Sequence, residues 1–424
     1  MQQEALRRRR FLLLSLSPLY FLIISFFIQP FDEILQGLVA IVESPDFLIT
    51  DYFVVGGPGA ALFNASVSTL LCILIIYLLG MEFDGHTITS TALLFGFSLF
   101  GKNILNIWTI MLGVCLYARF HRVSITKYLY VGLYGTSLSP IITQIMHIDT
   151  LPVPVRLLLS GATGLLIGFI LPPLSTHTYY AHKGYSLYNV GLACGIIATV
   201  VVSLFRSFDI TIHSRLIWAT DYDLLFGSIL LGLFAVWIIL PLVLHRQEVL
   251  VGYRMLLQTS GTSHTDYFKA FGPACVYFNM GINGTVATLL LLAMGCDING
   301  PTIGGIFTIV GFSATGKHIR NILPIMAGVY LGSLTKNWSI TDPSCTLAFL
   351  FSTTLAPIAG EFGVIAGIIA GYLHSSVALN VGMINSGMNL YNNGFAGGLV
   401  AIILVPVIQS LIDRRARANS DLSL

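Results

Sequence analysis

Lys102 and Lys317 occupy matching hexapeptides, Ser98-Leu99-Phe100-Gly101-Lys102-Asn103 and Ser313-Ala314-Thr315-Gly316-Lys317-His318, each following an apolar run. A lysine inside a membrane segment is costly enough to mark a functional position by default. Each ammonium, with the hydroxyl of Ser98 or Ser313 and free amides at a helix amino terminus, is suited to hold a carboxylate or other oxyanion near the membrane midplane. Gly101, Asn103, Gly316 and His318 belong to the same turns. Two other readings stand beside this one. The lysines stand in for sodium ions, or both segments cross fully and the lysines snorkel to opposite surfaces.

Other polar side chains recur in pairs. Asn64 and Asn279 follow Gly57-Pro58 and Gly272-Pro273. Their amides suit either a neutral polar solute or hydrogen bonds between helices. Asn189 and Asn392 stand in Tyr188-Asn189 and Tyr391-Asn392, each leading to a glycine that suits either a site or close helix packing. Glu361 has the neutral Gln144 as its counterpart. An unmatched carboxylate between apolar segments suits a coupling proton, because burial raises its pKa; an interfacial acid at a helix end is the other reading. His177 and His374 lack HxxxH or carboxylate spacing, so no metal site is expected and packing is preferred over proton relay.

The elements that must position these groups are apolar. Of 424 residues 55% are hydrophobic and 9% charged, against about 25% charged in soluble domains. Mean hydropathy is +0.83. This excludes a water-soluble fold and predicts an all-α polytopic membrane protein in a lipid bilayer. A net charge of +2 gives no nucleic-acid signature. Six scattered cysteines form neither a disulfide framework nor a metal pattern. The run after Arg7 to Arg10 has an apolar core of about 19 residues and no small-residue cleavage site, so it is read as a first transmembrane helix.

Residues 50 to 116 align with 265 to 331 at a constant offset of 215, with 26 of 67 positions identical. Thr50-Asp51-Tyr52-Phe53 recurs at Thr265 to Phe268, and Phe63-Asn64 at Phe278-Asn279. The chain is therefore one duplicated unit. It divides into a basic amino-terminal segment 1–10, a first repeat 11–221, a second repeat 222–412 and a basic tail 413–424. Seven apolar segments per repeat give about 14 membrane segments, and an odd number per repeat inverts the second copy. Placing both termini in the cytoplasm puts 14 of the 21 Lys and Arg inside. Segments 86–100 and 104–118, at about 22 Å of helix, are short for full crossings and suit re-entrant hairpins turning at the two lysine hexapeptides.

At Gly387 to Gly398, Thr353 to Gly363 and Gly311 to Ile325 the chain resembles an uncharacterised bacterial family of polytopic membrane proteins with a domain of unknown function. The resemblance spans nearly the whole chain and implies a bacterial inner membrane but no substrate. A fainter resemblance is to urea transporters, carried by Phe63-Asn64, Phe278-Asn279, Leu187 to Gly191 and Leu390 to Gly394. The intervening helices and both lysines depart from that pattern.

The expected function is a secondary transporter or permease for a small polar solute, anionic in the sharper form, with H+ or Na+ as candidate coupling ions. No cofactor is expected, and a homo-oligomer is compatible with the sequence. A passive urea-type channel is the alternative. An intramembrane enzyme is disfavoured, because no DDxx carboxylate pair, HExxH or Walker lysine motif is found.

Overall fold

The structure, a computed structural model, describes residues 2–210, 212 and 215–421. Met1 and the last three residues of the basic tail lie outside them. The first repeat runs α1 (Gln2–Ile28), α2 (Phe31–Glu43), β1 (Ile49–Thr50), α3 (Tyr52–Val55), α4 (Pro58–Leu78), α5 (Gly85–Phe97), α6 (Trp108–Phe120), α7 (Leu129–Gly135), α8 (Ser139–Met146), α9 (Val153–His182) and α10 (Asn189–Ser207). After β2 (Leu216–Ile217) the second runs α11 (Asp223–Leu256), α12 (Tyr267–Ala293), α13 (Gly300–Phe312), α14 (Ile319–Thr335), α15 (Pro343–Phe351), α16 (Ala356–Phe362), α17 (Val364–Val381) and α18 (Asn392–Asp421). The fold is all-helical apart from the two-residue parallel bridge of β1 with β2. Helix α1 begins at Gln2, so the predicted basic segment is the first turns of that helix, and Arg7 donates to Tyr77 O and Met81 O at the end of α4.

The repeats differ mainly in where helices break. In the second, α11 fuses the counterparts of α1 and α2 across a kink at His245, and α12 fuses those of α3 and α4 across Gly272. Gly57 (φ +88°) and Gly272 (φ +79°) adopt the same left-handed backbone, and the proline after each starts a new helix without needing a donor. Nine helices among the described residues are long and apolar enough to cross a membrane.

At the centre lie α5 and α13, each 13 residues or about 20 Å long. Both start from matching capping boxes, Asp84 with Thr87 and Asn299 with Thr302. Every residue of α13 and eleven of α5 are buried, so these helices are enclosed by protein and not by lipid. They pack antiparallel. A Cβ on Gly85 would lie 2.5 Å from Ala314 O, one on Gly96 2.9 Å from Gly304 Cα, and one on Gly300 2.7 Å from Leu99 O. The small residues let the backbones touch, and Thr89 Oγ1 donates to Gly311 O at 2.9 Å across the seam. Because Gly96 and Thr89 correspond to Gly311 and Gly304, contacts 96–304 and 89–311 are one contact seen twice, which defines a pseudo-twofold axis. The axis also passes between Gly191 and its counterpart Gly394, where a Cβ on either would lie 3.0 Å from the other's Cα.

The repeated Thr-Asp-Tyr-Phe motif stitches this centre together. Tyr52 N donates to Leu99 O at 3.1 Å and Tyr267 N to Ala314 O at 3.0 Å. Asp266 accepts from Gly85 N at 3.3 Å, and Asp51 accepts from Gly300 N, so each aspartate caps the short helix of the other repeat.

Candidate functional site

The hexapeptides form tips after α5 and α13, closed by Lys102 N donating to Phe97 O at 3.1 Å and Lys317 N to Phe312 O at 2.9 Å. The tips stand at opposite ends of the antiparallel pair, about 20 Å apart along it. The two turns therefore occupy separate places along that pair. The lysine side chains instead fold back toward the axis. Lys102 Nζ lies 5.3 Å from the Phe97 ring centre and donates to the Tyr391 hydroxyl at 3.1 Å. Lys317 Nζ lies 5.1 Å from the Phe312 ring and donates to the Tyr188 hydroxyl and to Thr353 Oγ1, the latter at 2.7 Å. The pairing is swapped, each repeat's lysine taking the other repeat's tyrosine.

Both lysines are fully buried, and no ion pair reaches either ammonium among the described residues. Hydroxyls and aromatic faces soften the burial of a cation but do not neutralise it.

Tyr188 and Tyr391 precede α10 and α18, whose first turns meet on the axis. Beside them lies a chamber of only about 10 Å³, room for roughly one water, lined by Leu93, Thr308, Phe97 and both tyrosines, with Phe351, Leu390 and Asn393 on one side. Phe351, Leu390 and Asn393 also line a vestibule of about 450 Å³ that includes Leu48, Ile49, Arg215, Gly382 and Ser386. These three residues form a thin floor between vestibule and chamber. Asn393 is nine-tenths buried and its Oδ1 has no partner.

The remaining predicted site residues divide by what they bond. Asn64 donates to Ser98 O at 2.7 Å and Lys102 O at 2.9 Å and accepts from Ile104 N at 3.0 Å; Asn279 repeats the first two at 2.8 Å each with Ser313 O and Lys317 O. These amides hold the tips, which is the packing reading of that pair. Asn103 Oδ1 accepts from Leu105 N and Asn106 N, and His318 Nε2 bonds Thr259 O at 3.0 Å. Asn189 ties α10 to Ser175 and Thr178 of α9, while Asn392 donates to Ala378 O of α17 and borders the vestibule. Gly101 packs on Leu390 and Gly316 on Gly261.

Ser98 and Ser313 differ. Ser313 Oγ accepts from Asn283 Nδ2 at 2.7 Å, whereas the first repeat has Ser68 in place of Asn283, and the hydroxyls of Ser68 and Ser98 both lack a partner. Glu361 is exposed at the end of α16. The structure does not give it the burial that a coupling carboxylate was read to need, and its place at a helix end is the other reading of that acid. His374 is packed, with Nε2 at 3.2 Å from Asn393 O.

Sequence reasoning passed over Tyr188, Tyr391 and Thr353 as site residues. Their signal was present: the tyrosines recur in both Leu-Tyr-x-Asn motifs, and Thr353 stands in the break between α15 and α16.

The fold and the buried polar centre define a multi-pass helical membrane protein made of two copies of one unit. The chain belongs to the family described as protein of unknown function (DUF1576), whose model matches it twice, over residues 31–207 and 224–410. No curated protein and no solved structure matches it.

Proposed function

We propose that the protein is a secondary transporter or permease for a small polar solute, with an anion favoured, working through the axial chamber between two inverted repeats of an inner-membrane protein. The observation that carries the reading is the pair of buried lysines without ion-pair partners among the described residues, one from each repeat, each bonded to a tyrosine that lines that chamber. Antiparallel packing of α5 with its counterpart α13 supports inversion of the second repeat, since a twofold axis across the helices exchanges the two membrane faces.

In this reading α1, α4, α7 with α8, α9 and α10 cross, α5 and α6 form a hairpin, and the second repeat does likewise. That makes ten crossings and four short arms, the 14 segments of the sequence. Both termini fall in the cytoplasm, and the vestibule opens to the opposite side. The solute enters over Phe351, Leu390 and Asn393, exchanges lysine–tyrosine bonds for lysine–anion bonds, and leaves when the pseudo-symmetric path opens on the other face.

The test is binding and flux with purified protein. A thermal-shift screen against small anions, amides and amines identifies a ligand, and proteoliposome uptake and counterflow follow with and without a pH gradient. Lys102→Met and Lys317→Met should each weaken anion binding ten- to a hundredfold, or about 1.5 to 3 kcal/mol. Unchanged binding in both variants, together with gradient-independent flux of a neutral solute, would establish a passive channel instead.

A further inference from the structure

Asp46 lies fully buried between α2 and β1, and no cation reaches its carboxylate among the described residues. Its Oδ1 accepts from the Tyr52 hydroxyl at 2.7 Å and its Oδ2 from Asn106 Nδ2 at 3.0 Å. Its backbone is fixed too, with N donating to Thr143 Oγ1 at 3.2 Å and O accepting from Gln144 Nε2 at 2.9 Å. The second repeat has Gly261 here, so this carboxyl belongs to one half of the protein alone. Two of its donors, Tyr52 and Asn106, also grip the Lys102 tip. Asn106 Nδ2 donates to Gly101 O at 3.2 Å, Tyr52 N donates to Leu99 O at 3.1 Å, and the Tyr52 hydroxyl faces Gly101 and Asn103. Leu48 and Ile49, just beyond Asp46, line the vestibule.

We propose that Asp46 is a proton-binding site whose charge state is read by the Lys102 tip through Tyr52 and Asn106. Burial pushes its carboxyl up to about 8, against the pull of its hydrogen bonds from Tyr52, Thr143 and Asn106. Other titratable or charged groups stand on the neighbouring elements: Asp51, whose carboxyl burial also pushes up to about 7, and His147 and Arg215, which hold backbone and a ring. His147 bridges Thr143 O and Glu43 O at 2.7 and 2.9 Å, and Arg215 lies 5.6 Å from the Phe47 ring centre.

An Asn106 amide nitrogen cannot accept, so a protonated Asp46 donates to one of its two hydroxyl partners, Tyr52 or Thr143. On the Tyr52 side that turns the hydroxyl hydrogen off the carboxylate, at an oxygen that also bonds Gly101 and Asn103 of the tip. Uptake of one proton on that side reverses one hydrogen bond at the base of the tip, and release restores it. The inference rests on the transport reading only for the use made of that proton.

Infrared difference spectra of purified protein in lipid, over about pH 6 to 10, test it. A protonated-carboxyl carbonyl band should grow on acidification in the parent and lose one component in Asp46→Asn, the remaining component belonging to Asp51, whose carboxyl burial pushes up to about 7, and disappearing in Asp51→Asn. Tyr52→Phe removes a bond that favours the charged form, so the midpoint of the band should move upward. Trp108 opens α6 and donates to Ile104 O at 2.6 Å. With the other tryptophans replaced by phenylalanine, its fluorescence should titrate with the same midpoint and become flat in Asp46→Asn. A band unchanged by Asp46→Asn, a midpoint of the Asp46 component unmoved by Tyr52→Phe, or a Trp108 titration indifferent to Asp46 overturns the proposal. None of these readouts uses a solute, so failed transport with a positive spectrum counts against the transporter reading alone.

Discussion

Lys102 donates to the hydroxyl of Tyr391 across 289 residues of chain, and that bond is the ammonium's sole hydrogen-bond partner among the described residues. It joins the tip of one repeat to the broken-helix start of the other. Tyr391→Phe should therefore destabilise the protein by about 1 to 3 kcal/mol, because it strips a buried cation of its hydroxyl. Lys102→Met should cost less or be neutral, since it removes the uncompensated charge itself. A double-mutant cycle by thermal unfolding in detergent measures the coupling, and a value near zero would contradict the pairing.

The tip amides make a sharper stability test. Asn64→Ala removes the side-chain partner of Ser98 O, Lys102 O and Ile104 N, and Asn279→Ala that of Ser313 O, while Lys317 O keeps a 3.3 Å bond from Asn283 Nδ2. A loss of about 2 to 4 kcal/mol is expected for each, read as a lower unfolding temperature.

Close helix approach is tested at Gly304. A Cβ there would lie 2.5 Å from Phe100 Cε1 and 2.7 Å from Gly96 O, so Gly304→Val should destabilise by about 2 to 3 kcal/mol. Gly161→Ala in α9 is the control: a Cβ there meets nothing within 4 Å, and the change should be neutral or stabilising by up to about 1 kcal/mol.

Asp46 gives stability a pH dependence of definite sign. Its folded pKa of about 8 exceeds the ordinary carboxyl value near 3.9, so the fold favours the neutral form. The stability it contributes is fully present below about pH 4 and is lost as pH rises through about 8. Relative to Asp46→Asn, the parent's unfolding temperature should fall across that window and level off above it. A parallel pair of curves would show that the carboxyl does not titrate.

Inversion is read by accessibility. Glu33 on α2 and its counterpart Glu248 on α11 are both exposed. Single cysteines at these positions, in a background with the native cysteines replaced, should react with impermeant reagent from opposite membrane faces. Same-face labelling would remove the inverted repeat.

The duplication, the helical class and the two lysine hexapeptides were all written in the sequence. Each is a local or periodic property: a constant offset of 215, uninterrupted hydropathy, and lysines where only a buried environment makes them unusual. Capping boxes and Gly-Pro breaks are equally local, because caps and left-handed turns depend on neighbouring residues. Which residue meets which was decided by the tertiary structure. Nothing in the chain says that Lys102 belongs to Tyr391 and Lys317 to Tyr188, because that swap comes from the axis that crosses α5 with α13 and brings Gly191 onto Gly394. Nor could hydropathy tell Asp46 from Glu361. One acid is enclosed by Tyr52, Asn106, Thr143 and Gln144 from distant segments, the other ends a short helix in the open, and burial of a charge depends on the packing around it, not on the residues beside it in sequence.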